Sequence, residues 1–149
     1  MSKNFTRFAK RVYLSSPTMH GEEQKYVQEA FTTNWVAPLG PNVDEFEKAM
    51  AQYVGVKAAA ALNAGTAAIH LAVKLAGIKP GDIVFCSDLT FAATVNPVAY
   101  EGGKQVFIEG ERETWNMDPR ALEAAFTKYD GKKLPKPKAV IVANLYGTP

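Results

Sequence analysis

At 149 residues, with 47% hydrophobic and 21% charged side chains, the chain is long enough to bury a core and too apolar for disorder. A net charge of +2 is too small to hold nucleic acid or an anionic membrane by charge, so neither partner is expected. The single cysteine, Cys86, allows no internal disulfide, no apolar run approaches transmembrane length, and the region of Lys3, Arg7, Lys10 and Arg11 lacks a signal-peptide core; a cytoplasmic protein is expected.

Residues 1–17 read as an irregular arm and 18–55 as a helical segment. Within that segment, 21–32 is expected to be a helix with Tyr26, Val27, Ala30 and Phe31 on one apolar face. The loop that follows, Thr33-Asn34-Trp35-Val36-Ala37-Pro38-Leu39-Gly40-Pro41, carries large apolar side chains but is broken by two prolines and a glycine. It either folds back on its own core or forms a pocket wall or subunit contact. A second helix is expected over 43–53, with Val43, Phe46, Met50 and Tyr53 on one face and Gly55 ending it.

Residues 56–149 read as the first part of an α/β domain. Strands are expected at 56–62, 83–86, 105–108 and 139–143. Helices are expected from Thr66 to the Gly77 turn, around 95–100, and from Asp118 and Pro119 onward, where Asp is the N-cap and Pro the first helical residue. Leu122, Ala125 and Phe126 give that last helix its apolar face, and the basic, proline-broken stretch 132–138 reads as solvated surface. Such alternation predicts a largely parallel sheet wrapped by helices. Ligands of such sheets lie at the carboxyl ends of the strands, which makes 63–67, 87–91 and 144–148 the candidate loops. Because the chain stops just after a buried-looking strand, a truncated domain is expected.

The first candidate loop carries the most chemistry. Gly65 is expected to permit a tight turn, and the N–H groups at the start of the next helix have no internal partners, so a phosphate could sit there; an ordinary strand-to-helix turn is the alternative. Phe91 is either a core residue or a ring displayed at a strand's carboxyl end.

Asn63-Ala64-Gly65-Thr66-Ala67-Ala68-Ile69-His70-Leu71-Ala72 resembles the phosphate-cup segment of the DegT/DnrJ/EryC1/StrS sugar aminotransferases, fold-type-I enzymes that use pyridoxal phosphate. Gly77 to Asp82, Leu89 to Thr94, Asn116-Met117-Asp118-Pro119 and Leu145-Tyr146-Gly147 follow in the family's order. The stretch Asn34 to Gly40 is similar to the substrate-side loop of members acting on UDP-linked 4-keto-6-deoxy sugars of the bacillosamine type.

The resemblance implies that Gly65, Thr66 and Ala67 hold the cofactor phosphate and that Phe91 stacks on the pyridine. It implies that Asn34, Trp35, Val36 and Ala37, with Gly65, contact the sugar nucleotide. Many relatives carry Ser where this chain has Ala64, so a side-chain contact is lost there. The lysine that bonds the cofactor and the acidic partner of its ring nitrogen lie, in relatives, C-terminal to the Tyr-Gly segment. Lys74 and Lys104 do not sit in the lysine motif, so no residue here is assigned a catalytic role, and no metal ligand is expected.

The implied protein is a homodimer that moves an amino group, from glutamate as the expected donor, to a nucleotide-linked keto sugar. This chain alone is expected to be inactive. A dehydratase of the same family and a non-catalytic cofactor- or sugar-nucleotide-binding regulator remain alternatives. A generic nucleotide-binding domain would carry Gly-x-Gly-x-x-Gly after a strand, and no such run is present.

Overall fold

The computed structural model describes residues 8–13 and 15–148. Of the expected arm, residues 1–7 and Leu14 lie outside the described residues, as does Pro149. The chain divides into two compact units, Met1–Ala61 and Leu62–Pro149.

The first unit contains two helices, α1 (Glu23–Thr32) and α2 (Pro41–Val54). α1 starts two residues later than expected because the Glu23 carboxylate reaches back to accept from the His20 and Gly21 N–H groups, at 2.6 and 2.8 Å. Those bonds hold the Glu23 carboxyl below its ordinary range. α2 starts at Pro41, whose missing N–H costs nothing in a first turn.

Two expectations for this unit are corrected. Tyr26, Val27 and Phe31 are exposed, as are Phe46 and Tyr53, and Ala51 is the one buried residue of the two helices. The apolar faces exist as patterns, but the described residues of this unit leave Tyr26, Val27, Phe31, Phe46 and Tyr53 exposed. Residues 56–62 do not form a strand either. A strand is defined by its ladder, and the described three-stranded sheet does not include this stretch. Among the described residues it is tied by one side chain, Glu47, whose Oε1 accepts the Ala61 N–H at 2.7 Å.

The second unit is a parallel three-stranded sheet in the order β2-β1-β3, with β1 (Ile83–Ser87) flanked by β2 (Lys104–Ile108) and β3 (Pro137–Ile141). α3 (Gly65–Leu75) precedes β1; α4 (Asn96–Tyr100) joins β1 to β2; α5 (Pro119–Lys128) joins β2 to β3. All five residues of β1 are buried, as its unbroken apolar run requires of a central strand covered on both faces. Alternation splits it. Val84 and Cys86 pack with Val73, Ile78 and Val98 against the side of α3 and α4, while Ile83 and Phe85 pack with Ile108 and Met117 beneath α5. The α/β reading of the sequence is borne out.

α3 ends as the glycine predicts. Gly77 adopts φ 71°, its N–H bonds to Lys74 O, and the next N–H, of Ile78, bonds to Val73 O, closing the helix while Ile78 and Val73 meet in the core. β3 begins two residues earlier than expected, because Pro137 pairs opposite Ile83 before a shift in register. Pro137 and Lys138, read as solvated loop, therefore belong to the strand. Proline is tolerated as a first strand residue.

Asp118 caps α5 as expected, accepting from the Arg120 N–H at 2.8 Å. That bond, aided by the Arg120 guanidinium, holds its carboxyl below the ordinary range. A carboxyl with a lowered folded pKa adds stability above its unfolded value, about 3.9, and loses it as pH falls through the folded value. Wild-type protein should therefore lose part of its urea midpoint as pH falls below about 4, and Asp118→Asn should flatten that part of the profile.

Burial shifts Cys86 in the opposite direction. Cys86 has no solvent exposure, and desolvation pushes its thiol up to about 11. Iodoacetamide at about pH 8 should leave the native thiol unlabelled and modify it fully in denaturing urea, a difference that mass spectrometry reads directly.

Candidate functional site

At the start of α3, the N-cap is Ala64, in extended conformation at φ −158° and ψ 150°, and no side chain caps the helix. The first bond at this end runs from the Ala68 N–H to Ala64 O, at 3.1 Å. The N–H groups of Gly65, Thr66 and Ala67 thus stand ahead of the ladder, at the positive end of an 11-residue helix. A Ser, Thr, Asp or Asn cap would have satisfied one of these donors; alanine cannot.

The expectation that Gly65 permits a tight turn is corrected. Its φ is not in the left-handed region, and beyond its chain neighbours and its own helix backbone no described atom lies within 4 Å of a Cβ built on it. Neither the backbone nor the packing of this chain demands a glycine there. Three N–H donors without a partner among the described residues, one of them the glycine's own, leave a cradle open to an anion, so the donor set fits a phosphate group.

Phe91 follows β1 at the carboxyl end of the sheet and is 81% exposed, so its ring is not part of the core of its own unit. Its backbone is fixed although its ring is free. The Phe91 carbonyl accepts the Thr94 N–H at 2.9 Å, and the hydroxyls of Thr90 and buried Thr94 bond to each other at 2.7 Å. α3 packs against both the Ala92–Thr94 turn and α4. It is further tied by Glu101, which bonds His70 at 2.6 Å and Lys74 at 3.1 Å; the His70 bond first, then Lys74, lowers the Glu101 carboxyl. Gly65, Thr66, Ala67 and Phe91 thus belong to one packed unit.

Asn34, Trp35, Val36 and Ala37 belong to the first unit and are described within it. Asn34 has φ 55° and closes α1: its N–H bonds to Phe31 O and the Trp35 N–H to Ala30 O, at 3.2 and 2.8 Å. Asparagine tolerates this conformation better than most residues, a structural reason for Asn34 that its spacing alone did not reveal. Trp35 Nε1 donates to Leu39 O at 2.6 Å, and the ring lies over Gly40, where a Cβ would come within 1.7 Å of Nε1. Trp35, Val36, Ala37 and Val43 line a cleft of about 240 Å³. Trp35 is 54% exposed, so the loop does not fold back into a core within its own unit.

A larger cleft, of about 620 Å³, lies among Glu109, Glu111, Glu113 and Asp118. Glu111 is committed to the turn that follows it, accepting from Thr114 and from the Glu113 N–H, and Asp118 to the α5 cap. Those bonds lower the Glu111 carboxyl, that of Thr114 foremost. Among the described residues no group of three His, Cys, Asp or Glu could hold a metal ion.

Residues 17–149 match the model of the DegT/DnrJ/EryC1/StrS aminotransferase family. The chain belongs to this family. It is 56% identical over 140 residues to EpsN of Bacillus subtilis (strain 168), provisionally named a pyridoxal phosphate-dependent aminotransferase, covering 93% of this chain and 35% of EpsN. Over 109 residues it is 38% identical to the UDP-2-acetamido-2-deoxy-3-oxo-D-glucuronate aminotransferase of Pseudomonas aeruginosa, covering 73% of this chain and 28% of that enzyme. The crystal structure of a DegT/DnrJ/EryC1/StrS aminotransferase from Brucella abortus superposes with a TM-score of 0.77 at 34% identity, covering 85% of this chain and 34% of the other. The chain spans about a third of the length of these DegT/DnrJ/EryC1/StrS relatives.

Two ties of this family member were missed in the sequence. Ser87 Oγ accepts the Ala143 N–H, and the Asn116 amide bonds the backbone of Leu145 and Thr148. Both link residues far apart in the chain, so no local periodicity signals them. The Asn116-Met117-Asp118-Pro119 motif marked the place without showing the bond.

Proposed function

We propose that this chain is the N-terminal part of a pyridoxal phosphate-dependent aminotransferase that moves an amino group, with glutamate as the donor, to a nucleotide-linked keto sugar for cell-surface polysaccharide or glycan synthesis. The observation that carries the reading is the uncapped start of α3, where the N–H groups of Gly65, Thr66 and Ala67 stand ahead of the ladder at a glycine that neither backbone nor packing requires. Family membership and the names of EpsN and the Pseudomonas enzyme support cofactor and substrate class.

In this reading residues 56–149 are the first part of the cofactor-binding domain. The Gly65, Thr66 and Ala67 N–H groups hold the phosphate, with the helix dipole adding to each bond. The exposed Phe91 ring covers one face of the pyridine; offset stacking contributes on the order of 1 kcal/mol beyond area burial. Bound there, the cofactor supplies the carbonyl carbon and electron sink through which nitrogen passes from donor to acceptor. Asn34, Trp35, Val36 and Ala37, in the substrate-side segment 18–55, are assigned to sugar-nucleotide binding, and so, separately, is Gly65. The uncovered faces of α1 and α2 suit a second copy of the chain, in a cytoplasmic homodimer.

The test uses the protein expressed from its complete reading frame, loaded with pyridoxal phosphate, reduced with borohydride and mapped by peptide. The expected result is a pyridoxyl group fixed on a lysine C-terminal to residue 149. Cofactor uptake with no labelled lysine would overturn amino transfer in favour of the dehydratase or the non-catalytic binder.

A further inference from the structure

The segment leaving β3 is held by side chains rather than by a ladder. Ser87 Oγ, at the end of β1, accepts the Ala143 N–H at 3.1 Å. Asn116 then grips both ends of the turn that follows: Oδ1 accepts the Leu145 N–H and Nδ2 donates to Thr148 O, each at 2.8 Å. Only one orientation of the amide satisfies both partners.

Between those two bonds, Tyr146 stands at φ 52° and ψ 29°, a left-handed conformation that an aromatic residue adopts only where its surroundings impose it. Trp115, immediately before Asn116, stands at φ 67°. Asn116 thus ties one strained turn to another, and its own backbone is anchored. Its carbonyl accepts the Glu111 N–H at 2.8 Å, and its neighbour Met117 is buried beneath α5. The gripped turn leaves the same end of the sheet as Phe91, since β1 and β3 are parallel with Cys86 opposite Ile141.

We infer that Asn116 is a positioning residue, whose side-chain amide sets the Leu145–Thr148 turn as a wall of the cofactor crevice at the carboxyl end of the sheet. The inference rests on the proposed function, because the crevice is the one that reading assigns to Phe91 and α3. It also specifies asparagine. Aspartate keeps the acceptor for Leu145 but turns a lone pair towards Thr148 O, and alanine loses both bonds.

The test uses the full-length holoenzyme with its N116A and N116D variants and pyridoxal phosphate itself as the probe. Hydrogen–deuterium exchange at the Leu145 amide is a reading independent of activity. N116A should exchange that amide about tenfold faster and bind the cofactor about fivefold more weakly, with a shifted visible band. N116D should retain most of the Leu145 protection and still bind more weakly than wild type. Faster exchange in N116A with unchanged cofactor affinity and spectrum would make the tie purely structural and overturn the inference, as would unchanged exchange. If N116A does not fold, N116D decides by the same affinity and spectrum. Wild-type protein that takes up no pyridoxal phosphate overturns the proposed function and this inference together. Wild type that binds beside a variant that binds equally well overturns the inference alone.

Discussion

Gly65→Asp is expected to lower pyridoxal phosphate affinity on the order of a thousandfold while leaving the fold as stable as wild type. The two halves of that statement come from separate facts. Beyond its chain neighbours and its own helix backbone, no described atom lies within 4 Å of a Cβ at position 65, and φ there is not left-handed, so the substitution meets neither clash nor strain. An acidic residue in the first turn of a helix is, if anything, stabilising. For the ligand the sign reverses. A carboxylate about 4 Å from a phosphate repels it by about 4 kcal/mol at the effective dielectric of a protein surface, a factor on the order of a thousand in affinity. Gly65→Ala separates charge from shape, filling the cradle with a methyl group and weakening binding less. Cofactor titration by visible absorbance, paired with urea midpoints for the three proteins, reads both halves. A Gly65→Asp protein that keeps wild-type affinity would move the phosphate away from α3.

How much of this could be read before the structure depends on how far apart the partners lie. The apolar run from Ile83, the Asp118-Pro119 start and the Gly77 stop are encoded within a few residues, and each was legible. Family membership was legible too, because its motifs are short and occur in order. The stretch 56–62 was not: it has a strand's composition, but a strand needs a partner, and the described sheet supplies none. For the same reason the apolar faces of α1 and α2 were visible as patterns, whereas their exposure among the described residues of their unit was not. Gly65 shows the opposite failure. A glycine at a strand-to-helix junction invites a conformational explanation, yet its backbone is one that any residue can adopt, and the remaining explanation is the space it leaves. The Asn116 and Ser87 ties lie furthest from view, because Asn116's partners are 29 and 32 residues away and that of Ser87 is 56 away.

Phe85→Ala is the core substitution expected to cost most, about 3–5 kcal/mol of unfolding free energy. Phe85 is wholly buried at the middle of the central strand, between β2 and β3, and its ring meets Phe126 and Tyr129 edge-on at 5.2 and 5.4 Å. Removing it vacates the space beneath α5, and the neighbours cannot collapse into it without shifting a strand paired on both sides. Val84→Ala, on the opposite face of the same strand, removes less volume and should cost roughly half as much. Urea unfolding at fixed protein concentration gives the comparison. Comparable losses at the two positions would mean that the layer under α5 is no better packed than the one under α3. A Phe85→Ala loss below about 1 kcal/mol would contradict the central placement of β1, because a ring that leaves no cavity when removed was never enclosed on both flanks.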